Sequence, residues 1–122
     1  MGEERIEDIS LGMYRQVYLR DHFTCVYCGF DGRSFEAYLA MSVDHVRPKQ
    51  QDGPETADNL VVACRACNSF TSRMTFKESD SIANIKRMKQ ERIRERRRKY
   101  HGQWMEVVAK VYLDKPLPVI PS

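Results

Sequence analysis

All four cysteines of the chain fall in two pairs of one spacing, Cys25-Val26-Tyr27-Cys28 and Cys64-Arg65-Ala66-Cys67. Two residues between cysteines allow both thiolates of a pair to point at one ion, and two such knuckles complete the tetrahedron that structural zinc prefers. A closed four-thiolate shell has no open position, so this metal is expected to hold the fold rather than to catalyse. Two disulfides, an iron-sulfur cluster or a redox pair are the competing readings of the same spacing. Gly29, directly after the first pair, supplies the backbone freedom that a metal-gripping turn needs.

A cross-link of this kind suits a chain of 122 residues, which is long enough for one well-buried core and too short for two. Hydrophobic residues make up 42% and charged residues 30%, an ordinary balance for a globular protein rather than a disordered or membrane one. No apolar run approaches the roughly 20 residues that span a bilayer, so no membrane association is expected. The N-terminus, Met1-Gly2-Glu3-Glu4-Arg5-Ile6-Glu7-Asp8, lacks the basic and apolar regions of a secretory signal. A cytoplasmic location is the resulting expectation, and a reducing compartment weighs against disulfides.

Charge is distributed unevenly. Nine Lys or Arg and two Glu lie between Asn84 and His101, leaving eleven basic and fifteen acidic residues elsewhere, a net −4. A concentrated basic stripe attracts polyanions, because neutralising phosphates releases condensed counterions. Nucleic acid, more specifically double-stranded DNA, is the expected partner, with Arg97 and Arg98 among the backbone contacts.

Hydrophobic spacing gives a coarse order of elements. Tyr14, Val17 and Tyr18 recur with Leu11 at helical spacing, predicting a helix over 10–19 capped by Asp8 or Ser10. Tyr38 to Val46 reads as a strand that stops near Pro48, and Lys49 to Asp58 as a loop. Leu60 to Ala63 reads as a second strand, followed by a polar helix from Arg65 to about Met74. Ser79-Asp80-Ser81 offers a cap for a long helix with Ile82, Ile85, Met88 and Ile93 on its apolar side, ended or bent at Gly102. A further helical stretch carries Trp104, Val107, Val108 and Val111, before Pro116, Pro118 and Pro121 enforce an extended tail.

The material around the second strand narrows the function. Val43-Asp44-His45-Val46-Arg47-Pro48, then Asp58-Asn59-Leu60, then the second cysteine pair followed by Asn68, resembles the His-Asn-His (HNH) endonuclease family. The resemblance covers about residues 15 to 74 and implies a small α+β domain with a ββα-metal core and a four-cysteine zinc staple, flanked by N- and C-terminal helices. It divides the chain into a helical lead-in (1–22), the HNH domain (23–76), a basic helical extension (77–114) and a Pro-rich tail (115–122). Where many relatives carry His at the third motif position, this chain carries Asn68.

Carried over residue by residue, the resemblance makes His45 the general base for phosphodiester hydrolysis. Asp44 and Asn68 become ligands of a catalytic divalent metal, and Asn59 the residue that holds the loop so that the His45 ring keeps its orientation. Imidazole titrates near neutrality and so suits the base. Carboxylate and amide oxygens are hard donors, which suit Mg²⁺ or Mn²⁺. Arg47 and Arg65, close in sequence to these residues, are the preferred phosphate contacts beside the basic stripe. The competing reading is a non-catalytic zinc-ribbon module that binds nucleic acid or protein on the same fold. A homodimer or larger nuclease assembly is a further expectation, because one active centre cuts one strand at a time.

Overall fold

Strands β1 (Met41–His45) and β2 (Leu60–Cys64) pair antiparallel in a two-stranded sheet, with Met41 opposite Cys64 and His45 opposite Leu60. This is a computed structural model, and it describes residues 9–111, 113–116 and 118–119. Around the sheet lie helices α1 (Ile9–Arg20), α2 (Phe35–Tyr38), α3 (Arg65–Thr71) and α4 (Ile82–Trp104). The result is a small α+β unit with the ββα order of an HNH core.

Every residue of β2 is buried, whereas those of β1 are half-buried. Opposed residues of an antiparallel pair share a face, and successive residues alternate. Met41, Val43, Leu60 and Val62 therefore form one face, on which α1 packs Val17, Met13 and Tyr18. Val61 and Ala63 form the other, where α4 brings Ile85 against Val61 and Val46, and Ile93 against Ala63 and the cysteines. A strand covered on both faces explains why Leu60 to Ala63 reads as an unbroken apolar run rather than an alternating one.

Several boundaries differ from the sequence-based expectation. The strand expected from Tyr38 starts only at Met41, because Ser34 caps a short helical turn: its Oγ accepts the Ala37 N–H at 3.1 Å. Ser10 lies within α1, while its side chain, Asp8, the Leu11 side chain and Pro121 fall outside the described residues. The polar helix ends at Thr71 rather than near Met74. Ser81 caps α4, with its Oγ accepting the Asn84 N–H at 3.1 Å. Gly102 neither ends nor breaks α4, which runs on to Trp104 and into a π-helical turn at Met105–Ala109.

The connection between the strands is tightly specified. Asp52 adopts a left-handed backbone (φ 62°), and a side chain at Gly53 would overlap the Arg47 carbonyl. Only glycine allows that approach. At its far end the loop is closed by Asn59, fully buried, whose Oδ1 accepts the Arg47 N–H (2.8 Å) and whose Nδ2 donates to the carbonyls of Arg47 (3.1 Å) and Pro54 (2.9 Å).

Candidate functional site

The two knuckles converge as their spacing predicts. Gly29, at φ 81°, closes the first through its N–H to the Cys25 carbonyl (2.9 Å), and the second sits where β2 passes into α3. The sulfurs of Cys25, Cys28, Cys64 and Cys67 all lie within 4.8 Å of one another, with Cys28 and Cys64 at 3.7 Å. Zinc–sulfur bonds of about 2.3 Å place tetrahedral sulfurs about 3.8 Å apart, so the cluster fits one ion. All four cysteines are unbridged. Such crowding is hostile to four bare thiolates: thiol contacts from Cys64 and Cys67 stabilise a Cys25 thiolate, and contacts from Cys25 and Cys64 push Cys67 far upward. Cys28, driven first by burial, rises to about 11. A divalent cation at the centre removes that repulsion.

About the C-terminal end of β1 opens a cleft of about 350 Å³, lined among others by Asp44, His45, Lys49, Asn68, Thr71 and Lys89. Asp44 and Asn68 approach it from the sheet face covered by α3 and α4. His45, one residue on, leaves the sheet on the α1 side and reaches the cleft from the end of the strand.

Each of these three side chains is gripped at one polar atom only. Asp44 accepts at Oδ2 from the Tyr27 hydroxyl (3.0 Å) and from Lys89 Nζ (3.1 Å). Asn68 donates from Nδ2 to the Ser42 Oγ at 2.5 Å. The Nε2 of His45 lies 2.5 Å from Glu55 Oε1, and Glu55 Oε2 accepts the Tyr14 hydroxyl at 3.1 Å. Asp44 Oδ1, Asn68 Oδ1 and His45 Nδ1 are left over. Among the described residues no buried side-chain nitrogen or oxygen lacks a partner, so these three atoms reach solvent. The two oxygens are hard donors, a chemistry that suits Mg²⁺ or Mn²⁺.

The gripping residues carry no motif signature in the sequence. Lys89 belongs to the basic run, yet it is 2% exposed, donates to Asp44 and to the His45 carbonyl (3.1 Å), and lies 6.0 Å from the centre of the Phe76 ring. One signal was legible: Ile85, Lys89 and Ile93 follow one another at four-residue intervals, so Lys89 had to share their buried face. Burial lowers the Lys89 pKa, and the Asp44 charge opposes that. Burial, with the Asp44 charge next, pushes the Tyr27 hydroxyl well above its ordinary value, which keeps it a donor. The His45 ring and the Tyr14 hydroxyl hold Glu55 below the usual carboxylate range, which keeps it an acceptor.

The arginines expected at the substrate do not line this cleft. Arg47 gives its guanidinium to the carbonyls of Lys77 (3.0 Å) and Asp80 (2.6 Å), bracing the turn before α4 instead of facing the cleft. Arg65 donates to the Leu39 carbonyl at 3.3 Å and, with Arg97, lines a separate hollow beside the first knuckle. Arg98 is exposed on α4. Of the basic residues near the motif, Lys49 does line the cleft.

Residues 25–72 match the family model described as HNH endonuclease. No curated protein and no solved structure matches the chain. Among the described residues no helix is long and apolar enough to cross a membrane. The matched segment begins at the first knuckle cysteine and ends one residue beyond α3, enclosing both the sulfur cluster and the Asp44, His45, Asn59 and Asn68 positions. Over residues 25–72 the chain thus matches the HNH endonuclease family, and its four clustered cysteines fit the zinc-ribbon subtype.

Proposed function

We propose that this protein is a metal-dependent HNH endonuclease that hydrolyses phosphodiester bonds in DNA, with His45 as general base. The family supports a nuclease or nucleic-acid-binding role with metal. One observation carries the choice of nuclease: Asp44, His45 and Asn68 are each held at one atom and turn a second, unpartnered one toward solvent along a single cleft. Two hard oxygen donors and a ring nitrogen left free beside one cleft are what a cation-assisted hydrolytic site calls for.

In the reaction His45 Nδ1 takes the proton of the attacking water, and Asn59 and Glu55 keep the loop and the ring in place. Asp44 and Asn68 would hold Mg²⁺ or Mn²⁺, which would supply positive charge beside the phosphate under attack. Lys49 offers a nearby cation for the phosphate. The exposed face of α4 with Arg97 and Arg98, together with Arg65 at the knuckle, extends a phosphate-binding track away from the cleft and fits duplex DNA without base readout. Arg47 lies off that track, its Nη2 donating to two carbonyls before α4. A cytoplasmic setting suits the four free thiols, and cutting both strands calls for a second copy or two successive nicks.

The Lys89 ammonium on Asp44 favours the alternative, a binding module, since a carboxylate already neutralised attracts a divalent cation less. Incubating supercoiled plasmid with zinc-loaded protein and Mg²⁺ or Mn²⁺ separates the two. Relaxed or linear product that requires the added cation supports the nuclease. Tight DNA binding with no product in either metal supports the module.

A further inference from the structure

The Glu55 carboxylate and the Tyr14 hydroxyl join the His45 ring in a chain of two hydrogen bonds, and we infer from it that Glu55 is a positioning residue that fixes the tautomer of the catalytic histidine, with helix α1 as its anchor. The inference rests on the nuclease reading only for its consequence on rate; the arrangement itself does not need it.

A carboxylate has acceptors and no proton to donate. With Oε1 at 2.5 Å from His45 Nε2, that nitrogen must carry the hydrogen, and the lone pair of the neutral ring is then on Nδ1. Nδ1 is the atom left without a partner and open to solvent. The wrong tautomer would place N–H where the base is needed, so Glu55 decides whether the ring is a base at all.

Glu55 is itself tied down from outside the matched segment. Tyr14 on α1 donates to Oε2 at 3.1 Å. Arg20, the last residue of the same helix, donates to the carbonyls of Ala57 (2.8 Å) and Leu60 (2.5 Å), two and five residues beyond Glu55. Val17 packs between them on Leu60 and Val62. Helix α1 therefore grips both the carboxylate and the backbone of its loop. The lead-in helix is part of the machinery, although no motif reaches it.

The test reads the ring directly. The chain has three histidines, so nitrogen-15 correlation spectra of the zinc-loaded protein resolve His45 by comparison with His45→Gln. Wild type is expected to show Nε2 protonated and Nδ1 bare under conditions where the ring is neutral. Glu55→Ala should give a mixture of tautomers, Glu55→Gln should keep the Nε2–H form because its amide oxygen still accepts, and Tyr14→Phe should broaden it. Glu55 is partly exposed, so its variants are expected to fold, which circular dichroism of each protein checks. On plasmid, Glu55→Ala should lower kcat by about 10- to 100-fold with KM for DNA unchanged, and Glu55→Gln should recover much of it. A wild-type ring protonated at Nδ1, or one unchanged in Glu55→Ala, overturns the inference whether or not the protein cuts. Absence of cutting with the expected ring signature would count against the nuclease reading alone.

Discussion

Replacing Asn59 by alanine probes the clamp that shapes the site without touching the cleft. Its amide is the only partner, among the described residues, of the Arg47 N–H and the Pro54 carbonyl, and it also serves the Arg47 carbonyl. The side chain is fully buried. Truncation removes three hydrogen bonds and leaves three backbone groups unpaired, each costing about 1–3 kcal/mol when no partner replaces the lost one. Water entering the space left by the amide recovers part of that, so a net loss of about 3–4 kcal/mol is expected. With a urea m-value of about 1.5 kcal/mol/M, the unfolding midpoint falls by about 2–3 M. Asn59→Asp keeps the acceptor but turns a carboxylate toward two carbonyls, and it should destabilise at least as much at neutral pH. Urea titrations of the zinc-loaded proteins followed by far-ultraviolet circular dichroism measure both. A midpoint within about 0.5 M of wild type, a cost below about 1 kcal/mol, would refute the reasoning that this amide holds the loop.

Other outcomes follow from the same geometry. Cys25→Ser or Cys64→Ser should lose cooperative unfolding, because the metal's binding energy contributes to the fold; an unchanged melting curve after complete zinc removal would contradict this. Gly53→Ala should cost at least about 2 kcal/mol in the same urea titration, since a methyl group at that point overlaps the Arg47 carbonyl. Burial alone would raise the Asp21 pKa, but the Arg20 guanidinium and the Val62 N–H (2.9 Å) outweigh it and hold it below the ordinary value. The stability this group contributes is present above the unfolded-state pKa and is lost as pH falls through the folded one. Asp21→Asn should therefore flatten the acid limb of the stability curve between about pH 5 and 2, which thermal melts across that window would reveal.

The cysteine spacing, the two strands and the long capped helix were legible because each rests on a local rule: a ligand interval, an apolar run, a serine before a helical stripe. What stayed hidden depends on where the chain crosses itself. Glu55 sits in a polar loop and Tyr14 on an amphipathic helix, and only the packing of α1 on β2 brings them to His45. Arg47 follows the Asp-His pair closely in sequence, yet the turn at Pro48 swings its guanidinium to the carbonyls before α4. Lys89 is the instructive case. Its charge assigned it to the basic stripe, while its spacing from Ile85 and Ile93 placed it in the core, and spacing prevailed because Asp44 was there to pair with it.

The most direct measurement is the single-turnover rate of plasmid nicking by His45→Ala beside wild type, both holding one zinc and both binding DNA alike, at saturating Mg²⁺ or Mn²⁺. The account predicts a rate lower by about 100-fold or more, with folding and DNA affinity unchanged. Nicking by His45→Ala at the wild-type rate would contradict it.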